Sequence, residues 1–262
     1  MGSATTQALA ASTAALNAAK NIDLNTAREL FAAARALGDS SQLSGALAMA
    51  ASAPEARAGL VESVFAGYGA PTRALLATVV SQRWSSPDQM IGGIEELAIR
   101  SAGIAAGDAD VDGELFEVGR TVAANPELEL ALGSRLGDAQ AKGTLVNTLL
   151  SGSAHEATVL IATALVQQPR ERRVRALLGW AQRLVADQRG RTVATVHSAT
   201  ALSAAQVERL QSALSGRYGE RIALNIVIDP TVVGGLRVEI GSDVIDGTVS
   251  TRLGELRQQL AS

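Results

Sequence analysis

Laid over itself with a shift of about 85 residues, the first part of this chain repeats without a gap, and that self-similarity constrains the fold more than any other feature. Asp23, Glu29, Leu30, Phe31 and Arg35 fall on Asp108, Glu114, Leu115, Phe116 and Arg120. Leu43, Ala46 and Leu47 fall on Leu128, Ala131 and Leu132. Leu60, Val61, Gly67, Leu75, Ala77, Thr78 and Gln82 fall on Leu145, Val146, Gly152, Leu160, Ala162, Thr163 and Gln167. Alanine matches carry little weight in so alanine-rich a chain. The Glu-Leu-Phe triplet and the Leu-Val pair do carry weight, and one register kept over roughly 60 residues makes coincidence a poor explanation. Two copies of one supersecondary unit are therefore expected, at 1–105 and 106–190.

Each copy reads as consecutive short helices. In the first, Leu30, Ala33, Ala34 and Leu37 sit at helical spacing, and Gly38-Asp39-Ser40-Ser41 breaks the pattern. Pro54 opens a helix through Leu60, Val61, Val64 and Phe65, closed by Gly67-Tyr68-Gly69. Pro71 opens another through Leu75, Leu76, Val79 and Val80, and Ser86-Pro87-Asp88 starts a last one through Ile91, Ile94, Leu97 and Ile99. The second copy has the same layout and ends in a helix predicted from Pro169 to about Arg189. Helices of four or five turns bury one stripe each and take their stability from neighbours. Alanine and leucine supply most of the apolar content, which suits close-packed helical bundles.

After Gly190 the period changes. Thr192-Val193-Ala194-Thr195-Val196 is β-branched and reads as a strand. Ser203 stands as an N-cap with Gln206 completing a capping box, and Leu202 and Val207 are placed for a hydrophobic staple across it. That helix runs through Leu210 and Leu214 to Gly216, and Ile222 to Ile228 forms the next strand. Asp229-Pro230 ends it, Gly234-Gly235 turns the chain, Gly241-Ser242-Asp243 makes a hairpin, and Asp246-Gly247 precedes a closing helix to Leu260. The expected fold is mainly α: a helical bundle region of two repeated copies, followed by a small α/β C-terminal domain at 191–262.

Composition narrows the chemistry. The formal net charge of −3 lacks the basic surplus that phosphate neutralisation requires, so a generic nucleic-acid binder is not expected. The absence of cysteine excludes disulfides and thiolate metal sites. No apolar run approaches the roughly 20 residues of a membrane span, and the first residues lack the pattern of a signal peptide. Asp108-Ala109-Asp110-Val111-Asp112-Gly113 matches the first half of a calcium-binding EF-hand loop, but the twelfth position is Gly119 where a bidentate glutamate is needed. Helix capping is the better reading, as at Asp23-Leu24-Asn25-Thr26 in the first copy. His155 and His197 are the only histidines, at the start of a predicted helix and the end of a strand. Neither has zinc-site spacing or a nucleophile motif beside it. Catalytic, cofactor-binding and metal residues are accordingly expected to be none. Arg170, Arg172, Arg173 and Arg175 fall in the first two turns of the predicted Pro169 helix, where a solvated helix face is the plainer reading. Because four arginines there oppose the helix dipole, acidic groups from this chain or a partner are expected nearby, and the functional reading is contact with an acidic partner helix.

One further pattern bears on function. Pro230, Val232, Val233, Gly234, Gly235, Leu236, Val238, Ile240, Ile245, Asp246, Gly247, Arg252, Leu253 and Leu256 stand in the order, and at the distance from the C-terminus, that marks the delta subunits of F-type ATP synthase. The chain resembles that family, which includes the mitochondrial oligomycin-sensitivity-conferring protein, over this C-terminal unit and the helical copy before it. Members usually carry one helical bundle, and this chain departs by carrying a second copy. The resemblance implies a non-catalytic stator subunit with no cofactor, present once per complex on the cytoplasmic face of the bacterial membrane. It implies two partners: the N-terminal helices of the alpha subunits for the bundle, and the C-terminal region of the stalk b subunits for the α/β domain. A helical adaptor unrelated to ATP synthase is the alternative, and an enzyme without a recognisable motif is a weaker third.

Overall fold

The computed structural model describes residues 2–134, 137–170 and 172–253. It is mainly helical, and its contacts divide it into Met1–Val185 and Ala186–Ser262.

The first unit opens with α1 (Ser3–Ala18), then α2 (Leu24–Asp39), α3 (Ser41–Ala48), α4 (Pro54–Val64), α5 (Ala70–Ser81) and α6 (Pro87–Ala105). The same series recurs as α7 (Val111–Ala124), α8 (Pro126–Gly133), α9 (Ala139–Leu150), α10 (Glu156–Gln167) and α11 (Val174–Gln188). The packing repeats as well: α4 lies on α5 and α9 on α10, α2 on α3 and α7 on α8, α2 on α5 and α7 on α10. The internal duplication is thus a duplication of tertiary structure.

Why the helices begin where they do is mostly local. Asp23 caps α2 by accepting from the Thr26 amide at 2.7 Å, Ser40 caps α3 through Leu43, and Ser86 caps α6 with Pro87 in its first turn. The second copy caps differently. Asp108 precedes the helix, α7 starts at Val111, and the residue at its N-cap, Asp110, makes no capping bond with its side chain.

Two helix starts are held from a distance, and in the same way. α5 begins behind Gly69, which has no side chain to cap with, and Glu29 on α2 accepts from the Gly69 amide at 2.9 Å and from the Thr72 hydroxyl. α10 begins behind His155, and Glu114 on α7 accepts from the His155 amide at 2.9 Å and from the Thr158 hydroxyl. A carboxylate that takes one orphan backbone amide and one threonine hydroxyl at the positive end of a helix is a charge-assisted cap, and each copy is cross-braced by one.

The core of this unit is continuous across both copies. α6 packs on α1, α2, α3 and α5 of the first and on α10 of the second, and Arg35 on α2 donates to Gln167 on α10 at 2.8 Å. Serving both sides, α6 is buried nearly all round, with Met90, Ile91, Ile94, Leu97 and Ile99 at most 2% exposed. Those five side chains contribute on the order of 10 kcal/mol of gross hydrophobic stabilisation, before conformational entropy is set against it.

The second unit holds β1 (Arg191–Ser198), α12 (Ala204–Tyr218), β2 (Arg221–Ile228), β3 (Leu236–Ile240) and β4 (Asp243–Asp246) in one sheet of order β2-β1-β3-β4. β1 and β2 are parallel, joined through α12, and the other pairs are antiparallel. The expected capping box is present: the Gln206 amide donates to Ser203 Oγ at 3.3 Å and the Ser203 amide to Gln206 Oε1 at 2.8 Å. Ala194, Val196, Leu214, Ile222, Val238 and Ile240 form the small core under α12. The chain turns helical again at 249–253, and the rest of the closing helix expected to Leu260 lies outside the described residues.

Candidate docking surfaces

The arginine cluster is placed differently from the sequence expectation. α11 starts at Val174, so Arg170, Arg172 and Arg173 precede it and only Arg175 lies in its first turn. Arg170 adopts a left-handed backbone, φ +47°, which no helix can continue. Long-range contacts hold it there. Arg172 Nη2 lies 2.7 Å and Arg170 Nη1 3.4 Å from Glu95 of α6, whose side chain is 4% exposed. Arg170 also donates to the Asp88 carbonyl at 2.8 Å, the Arg172 guanidinium stands 4.9 Å over the Trp180 ring, and Arg175 pairs with Glu129 of α8 at 3.0 Å. The acids that the cluster pointed to belong to this chain. Arg173 remains exposed at a cleft of about 440 Å³ between α8 and the start of α11, beside Leu130 and Val174. Leu130 is 75% exposed, and Leu145 and Leu149 of α9 are exposed too.

The two histidines have separate tasks. His155 is the N-cap of α10, its Nδ1 accepting from the Ala157 amide at 3.2 Å. His197 lies in β1 with Nε2 4.0 Å from Glu239, and Glu239 is paired with Arg237 at 2.9 Å. Among the described residues no group of three or more His, Asp or Glu side chains is placed to hold a metal ion.

The glycine pairs near the C-terminus meet each other. Gly234 and Gly235 both have positive φ, +66° and +79°, and a Cβ on Gly235 would stand 2.3 Å from the Gly247 carbonyl oxygen. The Gly247 amide donates to Leu236 at 2.9 Å and the Val249 amide to Gly234 at 3.2 Å. Asp229 and Asp246 fix the flanking turns. Hydrogen bonds from the Thr231 hydroxyl and amide hold the Asp229 carboxyl below its ordinary value, and the Thr248 amide does so first of all for Asp246. Gly-Gly and Asp-Gly are thus two halves of one backbone lock, the geometric role expected of them. Around it Ile228, Val233, Val244, Val249 and Leu253 are exposed.

Fold and surfaces together define a class: a duplicated helical unit joined to a small mixed-sheet unit, each exposing apolar side chains. Residues 97–260 match the family model for the ATP synthase delta (OSCP) subunit. The chain is 48% identical to ATP synthase subunit delta of Leifsonia xyli subsp. xyli, with all of both chains covered. It is 39% identical to that of Streptomyces avermitilis, covering 95% of this chain and 93% of the relative, and 38% identical to that of Streptomyces griseus over the whole of both. The chain belongs to the ATP synthase delta (OSCP) subunit family. An unrelated helical adaptor is thereby set aside. The matched span starts within α6 and takes in the second copy, and the end-to-end match to the Leifsonia protein shows that the first copy is not private to this chain. Among the described residues no helix is long and apolar enough to cross a membrane.

Proposed function

We propose that this chain is the peripheral-stalk subunit that joins the alpha/beta catalytic head of an F-type ATP synthase to the b-subunit stalk. It holds the head against rotation with the central shaft and carries out no chemistry itself. The helical unit takes the N-terminal helices of the alpha subunits, the C-terminal unit takes the C-terminal region of the b subunits, and one copy serves each complex on the cytoplasmic face of the bacterial membrane. Family membership over 97–260 carries the reading, since the matched span takes in most of the C-terminal unit.

Physical sense supports it. A small stator resists torque only through broad, well-packed interfaces, and helices laid into grooves of a preformed bundle supply them. The continuous core and the two carboxylate braces make the helical unit a stiff platform. The test is co-purification followed by truncation. The full chain is expected to bind both an alpha N-terminal peptide and the soluble b segment, and a chain ending at Gly190 to retain the first and lose the second. Stalk binding by the truncated chain contradicts the division of labour.

A further inference from the structure

Among the described residues no strand pairs with the outer edge of β2. Ile222 turns its backbone groups away from β1: its amide donates to Ser215 Oγ at 3.3 Å, and its carbonyl accepts from Gln211 Nε2 at 2.7 Å, both from α12. The Asp229 amide points the other way and donates to Ser198 of β1 at 2.8 Å. With a period of two, Leu224, Ile226 and Ile228 turn their amides and carbonyls outward as Ile222 does. No partner for these groups occurs among the described residues, because β2 is the last strand of the sheet on that side.

Edges of this kind are normally blunted by brevity, charge, proline or a bulge. β4, at the other edge, is short and has an aspartate at each end. β2 has none of these devices after Arg221: Ile-Ala-Leu-Asn-Ile-Val-Ile runs straight to Asp229, and its last residue is 51% exposed. α12 shields the first outward position, and the next three donors and three acceptors have no partner among the described residues.

The geometry points to β2 as the site where an extended segment of a stalk subunit adds a fifth strand, apolar at alternate positions and about five residues long. A second copy of this chain fits less well. Antiparallel self-pairing about Asn225 matches Arg221 to Asp229 across the junction, but it also sets Ile222 opposite Ile228, and the Ile222 groups are already held by Gln211 and Ser215 in both copies. A foreign strand is free to begin at Leu224.

This inference rests on the proposed stalk-binding role, and the experiment separates the two. Ile226→Pro removes one outward amide and leaves the ladder to β1 intact, a position where an edge strand tolerates proline. Ile226→Ala loses comparable packing but keeps the amide. In the full chain, with the soluble b segment as probe, the proline variant is expected to bind at least about tenfold more weakly than the alanine variant. Amide exchange at Leu224, Ile226 and Ile228 of the wild-type chain is expected to slow on binding. Equal affinities, or unchanged exchange at those three amides, overturn strand addition and leave stalk binding standing. If the proline variant does not fold, the wild-type exchange result decides. Protection of the edge without the b segment, together with dimerisation, overturns it in favour of self-pairing. Absence of any wild-type binding defeats both readings.

Discussion

Gly235→Ala tests the backbone lock directly. The left-handed conformation, φ +79°, costs an L-residue about 1–2 kcal/mol. The new methyl carbon would also stand 2.3 Å from the Gly247 oxygen and 3.0 Å from Thr248 Cα, where a carbon–oxygen contact settles at about 3.3 Å or more. Both obstacles are backbone, so relief means moving the strand that carries the 2.9 Å Gly247–Leu236 hydrogen bond, at an overpacking cost of about 1–3 kcal/mol. The sum is about 2–5 kcal/mol. Two neighbouring glycines separate the contributions. Gly241→Ala has φ +57° and open space around it, so about 1 kcal/mol is expected. Gly234→Ala meets only the movable Val249 methyl at 3.1 Å and falls between the two. Peptide-resolved hydrogen exchange on the full chain reads the outcome. Segments from β1 and β3 are expected to exchange about 100-fold faster in Gly235→Ala than in wild type, with α2 and α6 unchanged. Exchange no faster than in Gly241→Ala would refute the claim that the two glycine pairs interlock.

The carboxylate braces make equivalent predictions in the two copies. Glu29→Ala and Glu114→Ala are each expected to destabilise the helical unit by about 1–3 kcal/mol in urea titrations followed by tryptophan fluorescence, and a large inequality would contradict the shared role. Glu95→Gln leaves Arg172 without its counter-charge and Arg170 with the Asp88 carboxylate alone, and about 2 kcal/mol is expected, the low side for a buried pair because both arginines are partly solvated. The acid side of the pH profile follows from Asp23, Asp229 and Asp246, whose carboxyls are all held below the ordinary 3.8. The unfolded chain binds protons more readily at these groups, so their contribution is complete above that value and is lost as pH falls below it. Urea midpoints measured at successive pH values are expected to drop below about pH 4, less steeply in Asp23→Asn.

Much of this structure is written locally. Ser86 with Pro87 sets the start of α6, Ser203 with Gln206 the start of α12, and Gly241 the β3–β4 hairpin, because each acts on backbone groups a few residues away. α1 leaves little trace in the sequence, since its buried stripe of Thr5, Ala8, Ser12 and Leu16 is too small to give a clear period. The start of α11 departs from the sequence expectation for a different reason. Arg170 leaves the helical region because Glu95 and Asp88, far away in sequence, hold it, and no local propensity reports that. The glutamate braces lay half in view. The repeat matched Glu29 to Glu114, but the threonines they hold, Thr72 and Thr158, lie one residue out of that register. The open edge of β2 depends on strand order, which periodicity does not encode.

The place of α6 between the copies also says how such a chain can grow. One helix closes the first series and backs the second, and the second series has five helices where the first has six. The increment resembles the addition of a step to a staircase, where the new tread rests on the last. α11 ends the second series as α6 ends the first, and a third step would have to rest there. Instead the chain leaves α11 for β1, and the staircase stops at the strand that begins the sheet.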